Sequence, residues 1–232
     1  MTEQPFRIVF AIYPGMTHLD FTGPHQFLSR LPSSTMIIGS PAGGEVPSEG
    51  LIFTGTKRLA DIDACDLICV PGGGSATAMA LDTPFIAEIR RLGLTSRYVT
   101  SVCTGSLILG AAGLLVGRRA ACHWAWRYLL PLFGAIPDEG RVVRDGNVIT
   151  GGGVTAGIDF ALTVLAEIGG VDLAQTIQLG LEYAPAPPFE AGRPETASTT
   201  ILAACRESMA NIQPRREAEA RAAANRLGGG HA

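Results

Sequence analysis

Short, nearly continuous runs of apolar and mostly β-branched residues recur along the first half of the chain. They cover residues 7–13, 35–40, 66–70 and 97–103. Runs of this length are typical of strands that are buried on both faces. Helical patterns follow at about 24–30, 83–94 and 107–115, and the Gly- and Pro-rich stretch 41–56 indicates a hairpin or loop. This alternation predicts a parallel, doubly wound α/β sheet.

The second half of the chain continues with a hairpin and several helices. The hairpin is predicted at residues 141–150, because Asp145-Gly146 between alternating residues is a two-residue turn signal. A short strand at 119–122 precedes helices at 123–132, 158–168, 173–182 and 198–227, the last with a break at Pro214. The charged, Ala-rich residues 215–221 indicate that this last helix is exposed to solvent.

Composition limits the possible classes of protein. Of the 232 residues, 47% are apolar and only 17% are charged, so we expect a large buried core. The net charge of −3 argues against a nucleic-acid-binding surface. No apolar run approaches the roughly 18–20 residues of a membrane span, and no signal-peptide pattern is evident. We therefore expect a cytoplasmic protein with no nucleic-acid or membrane partner.

Cys103 lies where a predicted strand turns into a predicted helix, between the small residues Ser101 and Gly105. A sharp strand-to-helix turn that carries a reactive side chain at its tip is called a nucleophile elbow. The helix N-terminus favours a thiolate there, although a buried cysteine at an ordinary strand end fits the spacing equally well. The five cysteines include no C-x-x-C pair and the four histidines are scattered, so neither disulfides nor a metal site is expected. The other cysteines are predicted to lie in the core: Cys65, Cys69, Cys122 and Cys205.

Four loops are predicted to meet at the carboxyl ends of the parallel strands, where open α/β sheets bind ligands. They are residues 14–24, 71–74, 103–105 and 151–157. Asp20 is the carboxylate of the first loop; beside a buried thiolate its pKa would rise, and it could carry a proton. A helix cap near Pro24 is the alternative role for Asp20. Thr104 offers an N–H and a hydroxyl to a bound oxyanion, or it caps the helix that follows.

The remaining candidates would shape the pocket around the cysteine. Gly72 and Gly73 offer backbone N–H groups near the nucleophile, or they form a plain turn. Val154 and Thr155 are predicted to line the pocket beside Cys103. His123 is a possible base, although a histidine next to Trp124 is more often a packed structural residue.

These stretches resemble the ThiJ/PfpI superfamily along nearly the whole chain, most clearly at residues 19–24, 70–73, 100–107 and 150–159. Within the superfamily the chain is most similar to the isonitrile (isocyanide) hydratases, through residues 100–107 and the Pro-rich stretch 178–189. The resemblance implies a flavodoxin-like three-layer sandwich that forms a homodimer and needs no metal or organic cofactor. It assigns residues 1–195 to the family's α/β domain and 196–232 to a helical C-terminal extension packed on or beside it.

The resemblance also implies a reaction. A small isonitrile, R–N≡C, would be hydrated to the formamide R–NH–CHO through a thioimidate on Cys103, with Asp20 moving the proton and Thr104 holding the sulfur or the intermediate. Other cysteine-dependent activities of the superfamily are alternatives, of the glyoxalase, deglycase or hydrolase kind. Peptidase-like members carry His where this chain has Thr104, and glyoxal- or oxidant-directed members carry Glu where it has Asp20. A ligand- or redox-sensing domain without enzymatic activity is a third alternative, disfavoured because only an Ala- and Arg-rich helix follows the core.

Overall fold

Strands and helices alternate along residues 4–229, the part of the chain that the computed structural model describes. The strands are β1 (Phe6–Ala11), β2 (Ser34–Ser40), β3 (Gly44–Ser48), β4 (Leu51–Arg58), β5 (Leu67–Val70), β6 (Tyr98–Val102), β7 (Arg119–Ala120), β8 (Ile136–Pro137), β9 (Val142–Asp145) and β10 (Val148–Gly151). The helices are α1 (His18–Leu28), α2 (Ala76–Met79), α3 (Thr83–Thr95), α4 (Gly105–Ala111), α5 (Ala156–Gly169), α6 (Val171–Gly180), α7 (Thr199–Ala210) and α8 (Gln213–Gly229). Two 3₁₀ segments lie at Leu59–Asp61 and Arg127–Phe133.

One eight-stranded sheet forms the centre of the molecule, in the order β3-β4-β2-β1-β5-β6-β10-β9. The strands from β4 to β10 in this order pair in parallel, and β3 and β9 at the two edges are antiparallel to their neighbours. β5 and β6 are buried along their whole length because helices cover both faces of the sheet. Helices α1, α5 and α6 pack together, as do α2, α3, α4 and α8. The prediction of a mostly parallel, flavodoxin-like three-layer sandwich is confirmed.

The predicted hairpin at residues 141–150 is also confirmed, as β9 and β10 joined through Gly146, whose φ of 62° suits glycine. The stretch 41–56 forms most of the β3–β4 hairpin. Helix α4 ends before the predicted residue 115, because the backbone reverses at Gly113 with a φ of 73°. Helix α1 begins at His18 and contains Pro24, whereas the pattern predicted a helix that begins near Pro24.

The predicted helix at 123–132 is wrong. The chain forms a turn there and then the 3₁₀ segment Arg127–Phe133. Pro131 lies inside this segment and has no N–H to donate to the preceding turn, so a regular α-helix is not favoured. Helix α2 was not predicted, since its four residues are too few to show a periodic pattern.

The C-terminal helices differ most from the prediction. The break in the tail falls between α7 and α8, and Pro214 lies in the first turn of α8, where its missing N–H costs nothing. Helix α8 is not solvent-exposed on all sides, because it buries Arg216, Ala220 and Ala223 against the body of the protein. Helix α7 buries no residue, so Cys205 is exposed and the prediction that it is a core residue is wrong.

No helix within residues 4–229 is both long enough and apolar enough to cross a membrane.

Candidate active site

Cys103 occupies a tight turn between β6, which ends at Val102, and α4, which begins at Gly105. Its φ of 59° is in the left-handed region, which costs a non-glycine residue about 1–3 kcal/mol. The Cys103 N–H donates to the carbonyl oxygens of Gly151 and Gly152, at 3.0 and 2.8 Å, and these bonds hold the strained turn in place. The predicted nucleophile elbow is therefore present, with the thiol at its tip and 5% of the residue exposed.

Asp20 faces this cysteine from the first turn of α1 and is fully buried. Its Oδ2 accepts a hydrogen bond from the Gly72 N–H at 3.0 Å, so the side chain binds residues 71–74, called the glycine loop below, rather than capping a helix. Its Oδ1 has no hydrogen-bond partner of regular geometry among residues 4–229. The neighbouring polar group on that carboxyl is the Cys103 thiol, whose interaction lowers the pKa of Asp20 and partly offsets the effect of burial.

Thr104 joins the glycine loop to the elbow. Its Oγ1 accepts a hydrogen bond from the Gly73 N–H at 2.9 Å, and its side chain makes no capping bond to α4. A Cβ atom on Gly72 would lie 2.6 Å from Thr104 Oγ1 and 2.9 Å from Asp20 Oδ2. Only glycine lets the backbone approach both side chains this closely. The predicted convergence of the loops around Cys103 is thus seen in the packing of Asp20, Gly72, Gly73 and Thr104.

The electrostatics of the site follow from its burial. Burial raises the pKa of Asp20 from 3.8 to about 7, and it raises the pKa of the Cys103 thiol well above its usual value. A charged Asp20 raises the thiol pKa further, whereas the N–H groups of Val154 and Thr104 lower it by hydrogen bonding to the sulfur. Near neutral pH the Cys103 thiol is therefore protonated and Asp20 is partly ionised, and ionisation of Asp20 gives the pair its first negative charge.

A cavity of about 220 Å³ borders the elbow through Gly152 and Val154, and His123 and Thr155 also line it. The His123 Nδ1 accepts a hydrogen bond from the Ala125 N–H at 3.2 Å, so the neutral ring carries its hydrogen on Nε2. Burial lowers the pKa of His123 to about 4, and the charge of Arg216 adds to this effect. His123 reaches the cavity as a neutral hydrogen-bond donor, which makes it a poor general base.

These groups can add a sulfur and a proton to a small electrophile that enters the cavity. Within residues 4–229, no three His, Cys, Asp or Glu side chains are grouped as metal ligands would be.

The sequence pattern of the DJ-1/PfpI family matches residues 6–167. The chain belongs to the DJ-1/PfpI family. A relative in Pseudomonas putida named isonitrile hydratase is 48% identical over 220 residues, which cover 94% of this chain and 96% of the relative. A crystal structure of a ThiJ/PfpI family protein from Pseudomonas syringae superposes with a TM-score of 0.89 at 41% identity, over 95% of this chain and 90% of the other.

A second group of relatives carries this DJ-1/PfpI fold in longer chains. The HTH-type transcriptional regulator GlxA of Rhizobium meliloti is 30% identical over 157 residues, which cover 66% of this chain and 48% of the regulator. The superfamily resemblance inferred from the loop motifs is therefore confirmed.

Two buried residues of this DJ-1/PfpI site were not found from the sequence. The Tyr13 hydroxyl donates to the Pro71 carbonyl oxygen at 2.8 Å, beneath the glycine loop. Arg216 reaches the same loop from α8, and its Nη2 donates to the carbonyl oxygens of Gly73 and Gly74 at 3.1 and 3.0 Å. Tyr13 lies next to the Pro14-Gly15 turn, which was a usable signal, whereas no turn or loop motif marks Arg216.

Proposed function

We propose that this protein is an isonitrile hydratase, which adds water to R–N≡C and releases the formamide R–NH–CHO. The observation that carries the proposal is the buried Cys103 thiol at the tip of the elbow, which interacts with the buried carboxyl of Asp20. The 48% identity to a protein named isonitrile hydratase, over almost the full length of both chains, supports the same activity.

The first step joins the Cys103 sulfur to the substrate. Asp20 takes the thiol proton as the sulfur attacks the terminal isonitrile carbon, and it then delivers that proton to the same carbon. The product is a thioimidate, Cys103–S–CH=N–R, in which the carbon has gained the sulfur and one hydrogen. A carboxyl whose pKa is about 7 suits both parts of this transfer, because it is neither fully ionised nor fully protonated near neutral pH.

The second step releases the product. Water attacks the thioimidate carbon, and one of the water's protons goes to the nitrogen. The carbon–sulfur bond then breaks as the formyl C=O of the formamide forms. Asp20, which is ionised after the first step, takes the second proton of this water and passes it to the departing sulfur, so the overall change is the addition of one water molecule. The N–H groups of Val154 and Thr104 stabilise the sulfur when it is negatively charged. These steps use only side chains of the protein, the substrate and water.

The pocket residues favour a small substrate. The isonitrile group is linear and thin, so it can reach the nearly enclosed Cys103 while the R group stays in the cavity of about 220 Å³. We assign the walls around R to Val154, Thr155 and His123, and the N–H groups near the reacting carbon to Gly72 and Gly73.

The activity is tested by mixing the purified protein with para-nitrophenyl isonitrile and following formation of the formamide. Methylglyoxal is offered in parallel, and lactate is measured, to detect glyoxalase activity. We expect formamide from the wild-type protein and none above background from Cys103→Ala. Absence of formamide, or an unchanged rate in Cys103→Ala, would refute the proposal.

We further propose that the protein is a cytoplasmic homodimer, with residues 1–195 as the family's α/β domain and 196–232 as an extension on the same body. The exposed apolar side chains Leu179, Phe189 and Ile201 support a partner surface, and Ile201 belongs to α7, a helix that buries no residue within the chain. Sedimentation analysis would return the monomer mass if the homodimer proposal is wrong.

A further inference from the structure

Arg216 carries a positive charge into the interior without a carboxylate partner. On the same helix, α8, Arg215 is within salt-bridge distance of Glu219, and Arg221 of Glu217. Arg216 is only 6% exposed, forms no such pair within the described residues, and its Nε has no hydrogen-bond partner there. Burying an unpaired guanidinium is costly, so a compensating interaction is expected close by.

Two contacts fix the position of this guanidinium. It lies over the ring of Trp126, 4.3 Å from the ring centroid, which is a cation–π contact. Its Nη2 also binds the carbonyl oxygens of Gly73 and Gly74. The side chain is therefore held on the glycine loop of the active site, although it belongs to the C-terminal extension.

The glycine loop transmits this contact to the reacting groups. The Gly73 carbonyl oxygen accepts a hydrogen bond from Arg216, and the Gly73 N–H donates to Oγ1 of Thr104, the residue after the nucleophile. The preceding N–H, of Gly72, binds Asp20. Arg216 thus anchors the segment that orients both Thr104 and Asp20.

The charges in the site are also of opposite sign. Ionisation of Asp20 or of the Cys103 thiol produces a buried negative charge, and Arg216 is a buried positive charge near them. Burial and the charge of Arg215 lower the pKa of Arg216, whereas Cys103, Tyr13 and Glu219 oppose this shift, and Cys103 has the largest opposing effect. An arginine stays protonated throughout the working pH range.

We propose that Arg216 is a positioning residue of this active site, which anchors the glycine loop that orients Asp20 and Thr104 and serves as the counter-ion of the negative charge that forms on Cys103 or Asp20. Helix α8 then contributes to the active site through Arg216. The part of this inference that concerns turnover rests on the proposed isonitrile hydratase activity, whereas the part that concerns thiol reactivity does not.

The test compares three variants in a Cys205→Ser background, so that the exposed thiol does not react. Arg216→Met removes the charge at similar length, and Arg216→Lys keeps the charge but loses the planar group. Arg226→Met is the matched control, because Arg226 also ties α8 to the body, through the Leu81 carbonyl oxygen at 2.6 Å, away from the site. The readouts are the pH dependence of Cys103 alkylation by iodoacetamide, and kcat and KM for para-nitrophenyl isonitrile.

Several titratable or charged groups surround the Cys103 thiol and define its titration. They are Asp20 from α1, Tyr13 after β1, Cys122 after β7, and Arg216 from α8; Glu49, in the turn after β3, acts on Asp20. His123, Arg215 and Glu219 interact with Arg216. Of the four groups nearest the thiol, only Arg216 is altered in the test variants.

For Arg216→Met we expect the midpoint of alkylation to rise by about one pH unit and kcat to fall about tenfold, with a smaller change in KM. Arg216→Lys should keep the wild-type midpoint and recover only part of kcat, and Arg226→Met should match the wild-type protein. An unchanged midpoint and kcat in Arg216→Met would overturn the proposal, as would equal effects in Arg226→Met.

If Arg216→Met does not fold, Arg216→Lys tests the proposal instead. A wild-type midpoint of alkylation with a lowered kcat would support the proposal, whereas a raised midpoint or an unchanged kcat would overturn it. A wild-type protein that makes no formamide would refute the hydratase activity alone, because the alkylation profiles still test Arg216 as a counter-ion.

Discussion

Replacing Asp20 by Asn should make the protein more stable and less active at the same time. The Asp20 carboxyl is fully buried, and burial raises its pKa to about 7 from the 3.8 of an exposed group. Asparagine has nearly the same shape, keeps an oxygen that can accept from the Gly72 N–H, and cannot ionise. The substitution therefore removes the cost of burying a charge and leaves the loop contact in place.

The size of the gain follows from proton linkage. A carboxyl whose pKa is raised on folding binds protons more tightly in the folded state, so the protein loses stability as the pH rises from about 4 to about 7. A difference of roughly three pKa units lowers the free energy of unfolding by about 4 kcal/mol at pH values above this window. At pH values below the window, where Asp20 is protonated in both states, the loss of stability vanishes. The gain in Asp20→Asn should be about 4 kcal/mol near pH 8 and less than half of that near pH 5.

Urea unfolding of both proteins at the two pH values, followed by circular dichroism, measures this difference. Formamide production by the same samples should be strongly reduced in Asp20→Asn, since no group then carries the proton from the sulfur to carbon. A gain in the free energy of unfolding that does not depend on pH, or a loss of stability near pH 8, would refute the assigned burial cost. Near-normal turnover would refute the role of Asp20 in proton transfer.

Three further predictions concern the same site. Gly72→Ala should destabilise the protein by about 1–3 kcal/mol in urea unfolding and lower its turnover, because the new methyl group would collide with Thr104 and Asp20. The matched control is Gly180→Ala, at a helical position where no other atom lies within 4 Å, and it should leave the stability of the protein unchanged. In wild-type protein, kcat/KM should rise with pH through about 7 as Asp20 ionises, and a flat profile would argue against Asp20 as the base. Cys103→Ser should retain the fold but lose hydration, as read by circular dichroism and formamide assay.

Much of the fold could be predicted because its signals are local. The apolar runs at residues 7–13 and 66–70 are buried on both faces, and each is followed by a turn, so pattern alone identifies β1 and β5. The 3₁₀ segment Arg127–Phe133 could not be predicted in the same way. Its apolar residues have a helix-like spacing, and it is the backbone of Pro131, together with packing against α4 and α8, that decides the outcome.

Only part of the site could be predicted from the sequence, because some of its contacts join residues that are far apart in the chain. Asp20, Gly72, Cys103 and Thr104 follow the ends of predicted strands, and strand order brings such loops together without knowledge of side chains. Arg216 is 143 positions from Gly73 in the sequence and lies in a helix whose composition indicates exposure. Its one signal is the alignment of Arg216 with the small residues Ala220 and Ala223 on a single helix face, which lets α8 approach closely.

The contact between α8 and the glycine loop has a consequence for the order in which this protein becomes reactive. During synthesis, β1, the glycine loop and the elbow leave the ribosome well before Arg216, and closing so long a segment of chain is a late event in folding. The residues of the elbow, including the Gly151 and Gly152 carbonyls that hold Cys103, are therefore synthesised before the counter-ion that we propose for it. Full reactivity of Cys103 would accordingly await the docking of α8, and a nascent chain without α8 would carry a comparatively inert thiol.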